Sequence, residues 1–160
     1  EWRKREDRLC WIARPTRERI AIASNLIDAG IPLDIFSSEK WPVNNWKGFA
    51  EDETTMSKKY RYRIVCENSW RFGYHSEKMF NSIRSGCVTF YRGDPLLNLS
   101  FAEGAFLPLD IETIRCREEL SDAVLHAMNN FMYSAAWEVY SFKKFYDRII
   151  NLARETVDAA

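Results

Sequence analysis

Tyr60 to Pro95 reads YRYRIVCENSWRFGYHSEKMFNSIRSGCVTFYRGDP. The order strand, polar loop, helix, glycine turn, strand is legible in it. Tyr62 to Cys66 is a short, mainly apolar run, and Glu67-Asn68-Ser69 follows it at once. A run of this kind that ends in a polar loop is the pattern of a buried parallel strand. Ser76 can cap a helix through its side-chain oxygen, and Glu77 suits the positive end of the helix dipole. Met79, Phe80 and Ile83 give that helix a buried stripe. Gly86 stands where a left-handed residue ends it. Val88 to Tyr91 is the next strand. Ligands of open parallel sheets sit beyond the carboxyl ends of the strands, which directs attention to Glu67 to Lys78.

Upstream, Leu9 to Ala13 is the first apolar strand. Arg14-Pro15-Thr16 turns the chain, because the residue before proline avoids the helical region. Arg17 to Ala29 follows as a helix that buries Ile20, Ala23, Leu26 and Ile27 and ends at Gly30. Leu33 to Phe36 is a second strand. Strand, helix and strand joined by short loops make a right-handed crossover unit. Ser37 to Met56 is irregular. Its two tryptophans, Trp41 and Trp46, either pin the loop to the body or stack on a ligand ring. Ser57 to Tyr60 reads as a short helix. Downstream, Ala105 to Leu107 is the last strand. Glu118 to Asn130 is a helix with Leu120, Val124 and Met128 inward. Helical turns are expected over Ser134 to Tyr140, and a final helix over Phe142 to Val157. Strands alternating with helices predict a doubly wound α/β domain with a Rossmann-like parallel sheet.

The 160 residues suit one domain at 9–160, after a charged segment at 1–8 that reads as an exposed lead-in or the remnant of an upstream domain. Hydrophobic residues make up 46% and aromatic residues 14%, so the chain is globular. The 23 basic and 23 acidic residues cancel, which argues against a general nucleic-acid or membrane-surface role. No apolar run approaches the roughly 18 residues of a transmembrane helix. The four cysteines, at 10, 66, 87 and 116, form no C-x-x-C. They read as buried thiols, which leans towards a reducing compartment. His75 and His126 read as exposed or packed side chains, and no metal-ligand spacing occurs.

The pattern E-N-S, three residues, G-Y, two residues, E-K is carried by Glu67, Asn68, Ser69, Gly73, Tyr74, Glu77 and Lys78. It resembles the donor-binding signature of the family 10 glycosyltransferases, the α1,3/α1,4-fucosyltransferases. The likeness continues through Gly86 and Gly93-x-Pro95. A weaker likeness runs from about Leu9 to Asp110. It implies the carboxyl-terminal, donor-binding lobe of a GT-B type enzyme with two Rossmann-like lobes. Such an enzyme transfers fucose from GDP-fucose to a glycan hydroxyl with inversion and without an essential metal. The implied partners are the nucleotide-sugar donor, the glycan acceptor and an upstream acceptor-binding domain. The general base is expected outside this chain.

By the same resemblance Lys78 contacts the donor phosphates. Arg19, seven residues before Leu26, is the matching diphosphate arginine, although Arg14 and Arg17 stand close by. Glu77 accepts hydrogen bonds from donor hydroxyls, Tyr74 lies against the nucleotide, and Glu67 and Asn68 lie near the donor. The residues alone leave plainer readings open. Lys78 is then a solvated lysine, Glu77 complements the helix dipole and Tyr74 is a half-buried structural tyrosine. Glu67 and Asn68 then only order their loop. Cys66 stands where the family has phenylalanine, Ser76 where it has threonine, and Arg92 where an arginine is unusual. Ser76 keeps the helix cap, while Cys66 and Arg92 leave base and sugar preference open. The expected location of the chain is cytoplasmic or peripheral at a membrane, or the Golgi lumen in a eukaryote. Three other readings compete: a two-lobed glycosyltransferase using another nucleotide sugar, a non-catalytic nucleotide-binding or interaction module, and a single-stranded nucleic-acid binder.

Overall fold

The computed structural model describes residues 1–69, 71–74, 76–97 and 104–132. The helices expected over Ser134 to Tyr140 and Phe142 to Val157 lie outside these residues, as does His75.

Among the described residues, five parallel strands form one sheet. They are β1 (Glu6–Ile12), β2 (Leu33–Phe36), β3 (Tyr60–Cys66), β4 (Val88–Arg92) and β5 (Leu107–Pro108). Their spatial order is β2-β1-β3-β4-β5. The chain therefore leaves β1 in one direction to reach β2 and returns past it to β3. This reversal opens a crevice between the carboxyl ends of β1 and β3, where open α/β sheets take their ligands. The described helices are α1 (Arg17–Asp28), α2 (Glu53–Ser57), α3 (Glu77–Ser85), α4 (Ile111–Arg115) and α5 (Arg117–Met132).

The strands exist because their side chains are buried on both sides of the sheet. Leu9, Leu33, Tyr62, Val88 and Phe90 have no exposed surface. Fully burying an aliphatic or phenyl side chain stabilises by about 1.5–3 kcal/mol relative to leaving it exposed. Neighbouring residues of β3 point to opposite faces. Tyr62 donates through its hydroxyl to Glu118 on α5. Arg63, 1% exposed, donates instead to Ser57 and Glu53 of α2. A buried arginine inside a strand is tolerated here because both of its terminal nitrogens meet acceptors.

Helix ends follow the expected chemistry. Thr16 accepts from the Arg19 amide, and Ser76 accepts from the Lys78 amide. Gly86 ends α3 at φ +67, a conformation that glycine adopts without a Cβ clash. The short helix expected at Ser57 to Tyr60 lies earlier. Asp52 caps it by accepting from the Thr54 and Thr55 amides, and Tyr60 already belongs to β3. The last strand is displaced from Ala105–Leu107 to Leu107–Pro108, with Leu107 opposite Phe90.

The charged amino-terminal segment is tied to the body. Trp2 packs edge-on against Tyr62 with ring centroids 5.7 Å apart, and Arg5 donates to the carbonyls of Ser85 and Gly86. β1 itself begins at Glu6, three residues before the expected start. Both loop tryptophans also serve the body. Trp41 is 1% exposed and its indole N–H donates to the Ala13 carbonyl, while Trp46 donates to Ser37.

Candidate functional site

Three loops meet at the carboxyl edge of the sheet, following β1, β3 and β4. They enclose a cavity of about 150 Å³ lined by Thr16, Glu18, Arg19, Ile22, Cys66, Glu67, Asn68 and Arg92. The first four residues come from the start of α1, the next three from the end of β3, and Arg92 from the end of β4.

Arg19 anchors this crevice. The Thr16 cap turns the first helical turn so that Arg19 faces inward, leaving it 8% exposed. Its Nη2 donates to Asn68 Oδ1 at 2.7 Å and to the Cys66 carbonyl at 3.1 Å. Its Nη1 donates to the Arg14 carbonyl at 3.3 Å. One guanidinium thus joins the β1–α1 turn to the β3 loop. Its neighbours are placed differently: the Arg14 side chain is 77% exposed, and Arg17 is exposed as well.

Glu67 takes the other side of the same loop. Its carboxylate has no exposed surface. It accepts from the Ser76 amide at 2.9 Å, the Ser76 hydroxyl at 2.8 Å and Lys78 Nζ at 3.3 Å. Lys78 Nζ also donates to Ser76 Oγ at 2.8 Å. A buried carboxylate is sustainable only with such a set of donors. The loop-ordering role expected of Glu67 is thus visible in its hydrogen bonds. Gly93 is part of this arrangement. A Cβ built there would meet Glu67 Cγ at 2.6 Å and would also collide with the Tyr91 hydroxyl, so the chain passes only as glycine.

The sequence-derived candidates therefore divide. Arg19, Glu67 and Asn68 line one cavity. Lys78 joins them through Glu67 and keeps 22% of its side chain exposed. Tyr74, 40% exposed, and Glu77, also exposed, lie outside the cavity lining. Five lining residues lie outside the candidate set: Thr16, Glu18, Ile22, Cys66 and Arg92. Arg92 donates to Glu18 Oε1 at 2.7 Å across the mouth of the cavity. Its departure from the family pattern was the available signal. Glu18 carried none beyond its place in the first turn of a helix.

Burial pushes the Cys66 thiol up to about 12, against the pull of Arg19 and Arg92. Cys66 is therefore a neutral wall of the cavity at physiological pH. Cys10 and Cys87 are buried as expected, and Cys116 is exposed. His126 is exposed on α5 and contacts only Asn130 in the hydrogen-bonding described. Among the described residues, no group of three His, Cys, Asp or Glu side chains is placed to hold a metal ion. Among them, too, no helix is long and apolar enough to cross a membrane.

No protein-family model matches the chain, and no curated protein matches it. Solved structures do share its fold. An α1,3-fucosyltransferase with GDP aligns over 84% of this chain and 40% of its own, with a TM-score of 0.61 and 17% identity. An α1,3-fucosyltransferase with GDP-fucose gives a TM-score of 0.59 at 17% identity, over 84% of this chain and 40% of its own. Another α1,3-fucosyltransferase structure gives 0.59 at 19% identity, over 84% and 38%. The chain spans about two fifths of the length of these proteins. The expected doubly wound parallel α/β sheet is present, and it is a fucosyltransferase-like fold.

Proposed function

We propose that this chain is the donor-binding lobe of an inverting, fucosyltransferase-like glycosyltransferase that takes GDP-fucose. One observation carries the reading. Arg19 from the first turn of α1 meets Cys66 and Asn68 across the β1/β3 crevice, with Lys78 attached through Glu67. That Glu67 and Asn68 of the E-N-S to E-K pattern line one cavity with Arg19, at the edge where open α/β sheets take ligands, supports the reading. The fold neighbours solved with GDP and with GDP-fucose agree with that reading.

In this account the acceptor hydroxyl attacks the anomeric carbon of the donor, and the carbon–diphosphate bond breaks. Negative charge grows on the leaving GDP. Arg19 grips two of its oxygens, which a guanidinium can do and an ammonium cannot. Lys78 and the free amides at the start of α3 supply further positive potential. Glu77 and Tyr74, exposed at the same edge, take the hydroxyls and the nucleoside. No metal is assigned a part. The base that removes the acceptor proton comes from an acceptor-binding domain outside this chain. Phe49, Phe72, Tyr74 and Leu96 are exposed large apolar residues on loops beyond the carboxyl ends of β2, β3 and β4. They are the surface such a domain would cover.

Calorimetric titration tests the reading. GDP and GDP-fucose are expected to bind, and UDP and ADP to bind far more weakly. Tighter binding of UDP or ADP would retain a nucleotide-sugar lobe but assign it another donor, as Cys66 and Arg92 at their unusual positions would allow. Binding of an oligonucleotide with no nucleotide response would overturn the proposal.

A further inference from the structure

Resting on the nucleotide reading above, we propose that Glu18 and Arg92 form an exchangeable ion pair. In this pair the Glu18 carboxylate holds the place of a donor phosphate on a second guanidinium. Arg92 lines the same cavity as Arg19. Its Nη2 donates to Glu18 Oε1 at 2.7 Å. The two side chains are 34% and 60% exposed, so the pair sits at the mouth and not in the core. Glu18 belongs to the first turn of α1 and directly precedes Arg19.

The charges define the consequence. With Glu18 in place, its carboxylate offsets Arg92, while Glu67 is paired with Lys78. Glu67 is buried and held by three donors, so it cannot leave. Glu18 is held at the solvent edge, where an ion pair contributes little. A diphosphate carries more charge and more acceptor oxygens than one carboxylate, and it pairs with a guanidinium through two parallel bonds. It therefore displaces Glu18, and the exposed glutamate swings into water. The cavity then presents two arginines to the phosphates, one from each side of the crevice. Glu18 acts as a counter-ion that keeps Arg92 oriented in the empty site and disfavours weaker anions.

The test compares GDP with guanosine on the full chain and three variants: Glu18→Gln, Arg92→Ala, and the two together. Arg92→Ala is expected to weaken GDP about tenfold or more, the loss of one charge-assisted contact. Glu18→Gln is expected to tighten GDP severalfold while slightly lowering the melting temperature, because a first-turn acid is lost from α1. In the Arg92→Ala background the gain from Glu18→Gln should vanish, and guanosine affinity should stay constant throughout. A parent that binds GDP, with variants that bind it equally well, overturns the exchange but leaves the donor-lobe reading standing. The same holds if the Glu18→Gln gain persists without Arg92, since that gain would come from general repulsion. A parent that binds no GDP overturns both.

Discussion

Arg19 Nη2 lies 2.7 Å from Asn68 Oδ1, and this contact bridges two chain segments 49 residues apart. It ties the turn after the first strand to the loop after the third. One side chain thus links the two segments and brings positive charge to the crevice. Arg19 is a structural link and a candidate phosphate ligand at once.

That dual role shapes the first expectation. Arg19→Ala leaves the Cys66 carbonyl and the Asn68 side chain without their donor, and is expected to destabilise by about 1–3 kcal/mol in urea unfolding. It should also weaken GDP about tenfold or more. Lys78→Ala should weaken GDP similarly but destabilise less, by about 1 kcal/mol, because Lys78 is partly exposed and Ser76 still satisfies Glu67. From sequence, both variants are expected to leave stability nearly unchanged; burial of Arg19 revises that for one of them. Equal GDP affinity in both variants and the parent would falsify the phosphate role.

Glu67 gives a separate expectation. Its carboxylate is fully buried and accepts three hydrogen bonds. Glu67→Ala strands the Ser76 amide and the Lys78 ammonium, and should destabilise by about 2–4 kcal/mol. Glu67→Gln keeps the shape and should lose about half as much. The two midpoints in urea measure this, and a harmless Glu67→Ala would contradict the burial.

Gly93→Ala is expected to destabilise by about 1–3 kcal/mol through overpacking. The new methyl would strike Glu67 Cγ and the Tyr91 hydroxyl. Tyr91→Phe removes that hydroxyl, at the expense of its bond from the Asp94 amide. Introduced together with Gly93→Ala, it should cost less than the sum of the two single changes. Strict additivity in the double-mutant cycle would show that the clash is not with Tyr91.

Alkaline pH should unfold the chain early. Burial pushes Cys66 up to about 12, Cys87 to about 11 and Tyr91 to about 12. In each case the folded value exceeds the unfolded one, so the unfolded chain releases protons first. The contribution to stability is complete below the ordinary thiol value of 9.0 and is lost as pH rises towards 11 and 12. Urea midpoints should therefore fall steadily above about pH 9. Cys66→Ala together with Cys87→Ala should flatten that decline, and an unchanged slope would remove the thiols from the explanation.

Much of the frame was readable in residue order. Leu33 to Phe36 is bounded by local signals that tertiary packing does not contradict, and the strand lies where expected. Ser76 and Gly86 fix α3 by cap chemistry alone. The misplaced parts had weaker local signals. Leu107–Pro108 is a two-residue edge strand whose place is set by pairing with Phe90 and Tyr91, and pairing is not a local property. The Asp52 cap has a weak signature in sequence because α2 has only one turn and little apolar periodicity. At the site, spacing within one loop could indicate Glu67 and Asn68. It could not reveal that Glu67 is buried beneath Ser76, or that Arg92 from the next strand reaches back to α1. Those facts depend on three segments meeting in space.

The most direct test is the thermal stability of the chain with GDP, GDP-fucose, UDP and ADP, each with and without EDTA. A ligand present at about a hundred times its dissociation constant adds roughly 2.7 kcal/mol, a readily seen shift. The account predicts stabilisation by GDP and GDP-fucose, little by UDP or ADP, and no effect of EDTA. No stabilisation by any guanine nucleotide would contradict it.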